Sequence, residues 1–101
     1  MGMANLQRMA QQMQQEMLRV QNELEATQVD GSAGGGVVKA IVTGKQELVS
    51  ITIDPDAVDP ADVDMLQDLI VAAVNDALRG SRELAEEKMA AVTGGLRIPG
   101  M

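Results

Sequence analysis

VDGSAGGGVVKAIVTG, residues 29–44, sets four glycines within six residues and then runs into a β-branched stretch. Such a segment can cradle a phosphate ahead of a helix, or it can let a sheet turn back on itself. Both phosphate templates fail here. A Walker A loop needs glycine five residues before Gly44 and Ser or Thr after Lys45, but those positions hold Lys39 and Gln46. A dinucleotide fingerprint begun at Gly34 and Gly36 needs its third glycine at Lys39. The glycines also precede a strand-like run instead of leading from a strand into a helix. The stretch therefore reads as the bend between two strands, where glycine lets the chain turn and pack closely.

The residues on either side extend the sheet. Ala26–Ser32 is a weak strand candidate and Val37–Thr43 a stronger one. Leu48–Ile53 alternates, with Val49, Ile51 and Ile53 on one side and Ser50 and Thr52 on the other. Gly44-Lys45 supplies the hairpin turn between the last two strands. Three short antiparallel strands with one apolar face need a helical layer to cover them.

Two helices flank this sheet. Upstream, Met3, Leu6, Ala10, Met13, Met17, Val20 and Leu24 fall at spacings of 3, 4, 3, 4, 3 and 4, with Gln, Arg and Glu around them. This narrow heptad seam predicts a helical arm over residues 1–25 that packs along one line. Its partner is either a second copy of the chain, through Leu6, Met13, Met17, Val20 and Leu24, or the chain's own sheet. Downstream, the strands (26–54) stop at Asp54-Pro55. Asp59 is the expected cap and Pro60 the expected first residue of a helical region over 59–93. Val63, Leu66, Leu69, Ile70, Ala73, Val74, Ala77 and Leu78 give it a face broad enough to cover a sheet. Gly80-Ser81 is the expected kink, Gly94-Gly95 the end, and 94–101 a flexible tail. The expected class is α+β in a single domain.

Composition removes whole classes of chemistry. The 101 residues contain no Cys and no His, so thiol nucleophiles, disulfides, zinc sites and imidazole bases are excluded. Without Phe, Trp or Tyr there is no stacking platform for single strands or RNA. No cofactor and no catalysis are expected. The polar, Gln-rich N-terminus has no signal-peptide core, and no run is apolar enough to span a bilayer, which predicts a soluble cytoplasmic protein with no membrane partner. Net charge is −7, and six carboxylates (Asp54, Asp56, Asp59, Asp62, Asp64 and Asp68) fall in one segment without Lys or Arg. A calcium loop begun at Asp54 fails, because Asp59 stands where Gly is needed and Met65 where Glu is needed. Helix capping and solvation account for these acids.

The basic residues are Arg8, Arg19, Lys39, Lys45, Arg79, Arg82, Lys88 and Arg97. They are either solvated helix surface or, doubled in a twofold dimer, patches that reach across a duplex.

The C-terminal third tips the balance. In MLQDLIVAAVNDALRGSRELAEEKMAAVTGGLRIPGM, Asp68, Leu69, Ile70, Ala72, Ala73, Asn75, Asp76 and Ala77 are followed by Thr93, Gly94, Gly95, Leu96, Ile98, Pro99 and Gly100. This combination closely resembles the signature of the YbaB/EbfC family of bacterial nucleoid-associated proteins. GSAGGGVVKAIVTGK, ITIDP and the Gln/Met-rich first helix resemble it too. The resemblance implies a tweezer-shaped homodimer that binds double-stranded DNA, affects nucleoid organisation and gene expression, and catalyses nothing. It also implies a link to recombinational repair, so an acidic protein–protein adaptor with little direct DNA binding is the alternative. Charge on the first helix and in the C-terminal region nominates Arg8, Arg19, Arg79, Arg82, Lys88 and Arg97 as DNA contacts.

Overall fold

The computed structural model describes residues 2–94 in the order α1 (Met3–Ala26), β1 (Gln28–Ala33), β2 (Val38–Thr43), β3 (Leu48–Ile53) and α2 (Val63–Gly94). The strands form one antiparallel sheet in the order β1-β2-β3. Alternation in β2 decides which face is covered. Val38, Ala40 and Val42 are fully buried beneath α2, while Lys39 points to the open side. In β1, Val29, Gly31 and Ala33 pair with Val42, Ala40 and Val38, so they share the covered face.

The glycines divide the work. Gly34, Gly35 and Gly36 all take positive φ (64°, 73° and 98°) and turn β1 into β2, as the sequence leads one to expect of this bend. Gly31 does something different. A Cβ there would collide with the Ala77 backbone nitrogen and lie 2.7 Å from the Ala73 carbonyl oxygen. The strand thus lies directly against the helix backbone. Ala73 and Ala77 line that contact, both with no exposed surface.

Three details differ from the sequence expectation. Val42 pairs with Leu48 while Ile41 pairs with Ser50, so Val49 is the extra residue of a bulge and Leu48 joins Ile51 and Ile53 on the covered face. The helix starts at Val63, not Pro60. Asp59 caps a preceding turn through Ala61 N (2.9 Å), and Asp62 Oδ1 accepts from Met65 N (3.2 Å) at the N-terminus of α2. Finally, α2 runs unbroken through Gly80-Ser81. Helix packing repays the glycine's propensity cost there, since a Cβ on Gly80 would press on Val29 at 3.0 Å and Ser81 is fully buried. The end of α2 at Gly94 is the edge of the described region, and most of the expected tail lies outside it.

The chain is long and thin, 71 × 28 × 16 Å with a radius of gyration of 19.7 Å. A compact chain of this length would have about 13 Å. The helices explain the difference. At 1.5 Å per residue α1 is about 36 Å long and α2 about 48 Å, well beyond six-residue strands. The last turns of α1 meet the later part of α2, with Val20 and Leu24 buried.

Candidate nucleic-acid interface

The arm begins at a hub around Thr43. The Ser81 hydroxyl of α2 donates to the Thr43 carbonyl at 2.9 Å, which gives the buried serine its partner. Gly44 N donates to both Leu24 O and Thr27 O at 2.9 Å, tying the end of α1 to the β2–β3 turn. A Cβ on Gly44 would lie 2.6 Å from Leu24 O, so only glycine allows this approach. Thr27 closes the helix end with its own hydroxyl, 2.6 Å from Glu23 O. The two helices and the hairpin are thereby pinned at one place.

Beyond the hub, α1 and α2 run side by side in opposite directions. Lys88 Nζ of α2 reaches Glu23 Oε2 of α1 at 3.4 Å. A shallow groove beside that pair is lined by Glu16, Arg19, Val20, Lys88, Ala91 and Val92. The N-terminal turns of α1 pass beyond this overlap, leaving Met3, Leu6 and Met9 well exposed.

The nominated cations differ in their surroundings. Arg8 and Arg82 are exposed and make no ion pair among the described residues. Arg79 lies 3.4 Å from Asp76, whose other oxygen accepts from Ser32 N at 3.0 Å and so ties α2 to β1. Arg19 is held on both sides by Glu16 and Glu23 at 2.5 Å, the i,i+3 and i,i+4 spacings of one helix face. Hydrogen bonding to Arg19 holds the Glu16 carboxyl below the usual carboxylate range, while for Glu23 the leading cause is the hydrogen bond from Lys88. The same acids push the Arg19 guanidinium up, Glu16 most strongly. Arg97 lies outside the described residues. Lys39, on the open face of the sheet, and Lys45, at the hairpin tip beside the hub, are exposed cations that charge on the helices alone does not nominate. Their position at the sheet and at the turn was the available signal.

The proposed seam residues also separate. Val20 (3% exposed) and Leu24 (5%) are buried within the single chain, so their spacing serves its own core. Met13 and Met17 are half-buried and Leu6 exposed. A second apolar surface appears instead. Helix α2 lies along β1 and β2 and barely touches β3, so Leu48 (51% exposed) and Ile51 (37%) of the covered face are left bare. Val63 and Met65 at the start of α2 are exposed as well.

No helix among the described residues is long and apolar enough to cross a membrane. Nor do these residues contain a group of His, Cys, Asp or Glu placed to hold a metal ion.

Residues 1–96 match the YbaB/EbfC DNA-binding family. The chain is 55% identical over 103 residues to a nucleoid-associated protein of Moorella thermoacetica, covering 99% of each. It is also 55% identical over 97 residues to a nucleoid-associated protein of Chloroflexus aggregans, covering 96% of this chain and 97% of the other. An uncharacterized protein from Helicobacter pylori, HP0035, has the same fold, with a TM-score of 0.73 at 23% identity, covering 96% of this chain and 99% of that one. The chain belongs to the YbaB/EbfC DNA-binding family.

Proposed function

We propose that this member of a DNA-binding family is a nucleoid-associated protein that holds duplex DNA as a homodimer and contacts phosphates from its helical arms. The observation that carries the reading is the arm. Two helices leave one pinned root and display Arg8, Arg19, Arg82 and Lys88 along their lengths, with Arg79 just on the sheet side of the root and Arg97 completing the set assigned by charge. The names of the bacterial relatives support the nucleoid assignment. At a net charge of −7 per chain the whole-molecule field repels DNA, so affinity must come from local phosphate contacts.

In this reading the dimer forms on the bare strip of Leu48 and Ile51, with Leu6, Met13 and Met17 still available along α1. An exposed apolar edge strand is the surface a soluble protein most needs to cover. Replacing Ile51 with Asp is expected to halve the particle mass in light scattering, and an unchanged mass would move the interface to α1. Binding to a fluorescent duplex should fall steeply with salt and should be lost when Arg79 and Arg82 are both changed to Gln. Absence of binding by the unaltered protein even at low salt would sink the DNA reading.

A recombination or repair protein is an additional partner implied by the family resemblance, and the acidic segment Asp54–Asp68 offers it a surface away from the hub. A pull-down that survives charge reversal of Arg79 and Arg82, with DNA binding absent in the unaltered protein, would favour that adaptor role.

A further inference from the structure

Glu23 occupies a position that the DNA reading does not explain. Its two carboxylate oxygens take one cation from each helix of the arm: Oε1 accepts from Arg19 Nη1 at 2.5 Å, and Oε2 from Lys88 Nζ at 3.4 Å across 65 residues of sequence. Among the described residues this is the one ion pair that joins α1 to α2. Arg19 is doubly committed, since its Nε and Nη2 both reach Glu16 Oε2 at 3.2 and 2.5 Å. Three of the nitrogens that could form a two-point grip on a phosphate are thus already facing carboxylates.

We infer that Glu23 is an internal competitor for DNA phosphate, holding Arg19 and Lys88 in a carboxylate-bound state that a phosphate must displace. The inference rests on the proposed phosphate-contacting role of those two cations. A carboxylate and a phosphate oxygen offer a guanidinium or ammonium the same charge-assisted hydrogen bond, so the two are direct alternatives. All three side chains are accessible, at 55%, 33% and 41% relative exposure for Arg19, Lys88 and Glu23. A passing duplex can reach them. An exposed pair of this kind contributes little to folding, so its removal is expected to leave the fold intact while changing what the cations can bind.

The test compares Glu23→Gln with Glu25→Gln in the full-length protein. Both remove one negative charge from the same stretch of α1, but Glu25 makes no ion pair among the described residues. Fluorescence anisotropy of a labelled duplex is followed across a salt series, with helix content and melting checked by circular dichroism. Glu23→Gln should strengthen binding by about 3- to 10-fold, with a log–log salt slope steeper by about 0.9 for each cation released to a phosphate. Glu25→Gln should give a smaller gain and an unchanged slope. In a Lys88→Gln, Arg19→Gln background the Glu23→Gln gain should fall to that of Glu25→Gln, with no change in slope.

Equal effects of Glu23→Gln and Glu25→Gln would reduce the role of Glu23 to bulk charge and overturn the inference. If Glu23→Gln does not fold, Glu16→Gln frees Arg19 from its other side and must itself tighten binding. Failure of the unaltered protein to bind duplex DNA counts against the DNA reading. In that event binding gained by Glu23→Gln still supports the competitor role, and no binding by the variant removes it.

Discussion

Replacing Gly31 with Ala tests the contact on which the sheet–helix packing depends. The added methyl would sit 2.7 Å from the Ala73 carbonyl oxygen and closer still to the Ala77 nitrogen, with the Ala77 Cα at 2.8 Å. Ordinary contacts of that kind need about 3.5 Å or more, so strand and helix must separate by roughly 1 Å. The atoms it would meet are all backbone, and no rotamer change can relieve the overlap. Separation would loosen Ala73, Ala77, Val38 and Val42 together, all of them fully buried. Overpacking in a core costs about 1–3 kcal/mol. With backbone on both sides the upper end applies, about 3 kcal/mol, equivalent to a fall in melting temperature of roughly 12–24 °C for a domain of this size. Gly35→Ala is the internal comparison. It sits in open space at φ 73°, so it pays only the left-handed backbone cost of about 1–2 kcal/mol. Urea unfolding followed by circular dichroism, at one fixed protomer concentration, measures both. A Gly31→Ala variant no less stable than Gly35→Ala would refute the close-approach argument.

Three other outcomes follow from the same geometry. Asp62→Ala removes the side-chain acceptor for Met65 N and should cost about 1 kcal/mol in urea unfolding, whereas Pro60→Ala should not disturb the start of α2. Gln46 holds φ at 65° in the β2–β3 turn, so Gln46→Gly should stabilise the protein by about 1 kcal/mol by the same assay. Carboxyl NMR titration should find Glu16 and Glu23 ionising below the usual carboxylate range. Because their folded values lie below the unfolded ones, their contribution to stability is present above the unfolded value and lost as pH falls through the folded one. Lys88→Gln should move the Glu23 midpoint upward, and an unmoved midpoint would contradict the cross-helix bond.

Local patterns carried most of the fold into view. Heptad spacing located α1, β-branched alternation located β2 and β3, and the glycine triplet located the turn between β1 and β2. What stayed hidden depends on which distant surfaces meet. An apolar seam on α1 has the same spacing whether it faces its own chain or a second one, and burial of Val20 and Leu24 decides for the former at that end. The bulge at Val49 arises from pairing with β2, which no residue of β3 announces by itself. Gly31 looks like one more glycine of the turn until α2 is laid on it. On the arms, the Glu16–Arg19–Glu23 clamp was readable from its i,i+3 and i,i+4 spacing, but the Glu23–Lys88 bond spans 65 residues and was not.

The hub at Thr43 makes α1 a cantilever. Its outer stretch, from Glu16 at the groove shared with α2 to Met3, extends about 20 Å at 1.5 Å per residue, so a swing of about 10° carries the tip some 3 Å. That is close to the roughly 3.4 Å rise between successive phosphates on one strand. Two bonds from Gly44 and one from Ser81, all at 2.9 Å, therefore act at the end of a long lever, where angular stiffness is converted into registration at the tip. Small uncharged residues at the root govern which rung of a regular lattice the arm can meet.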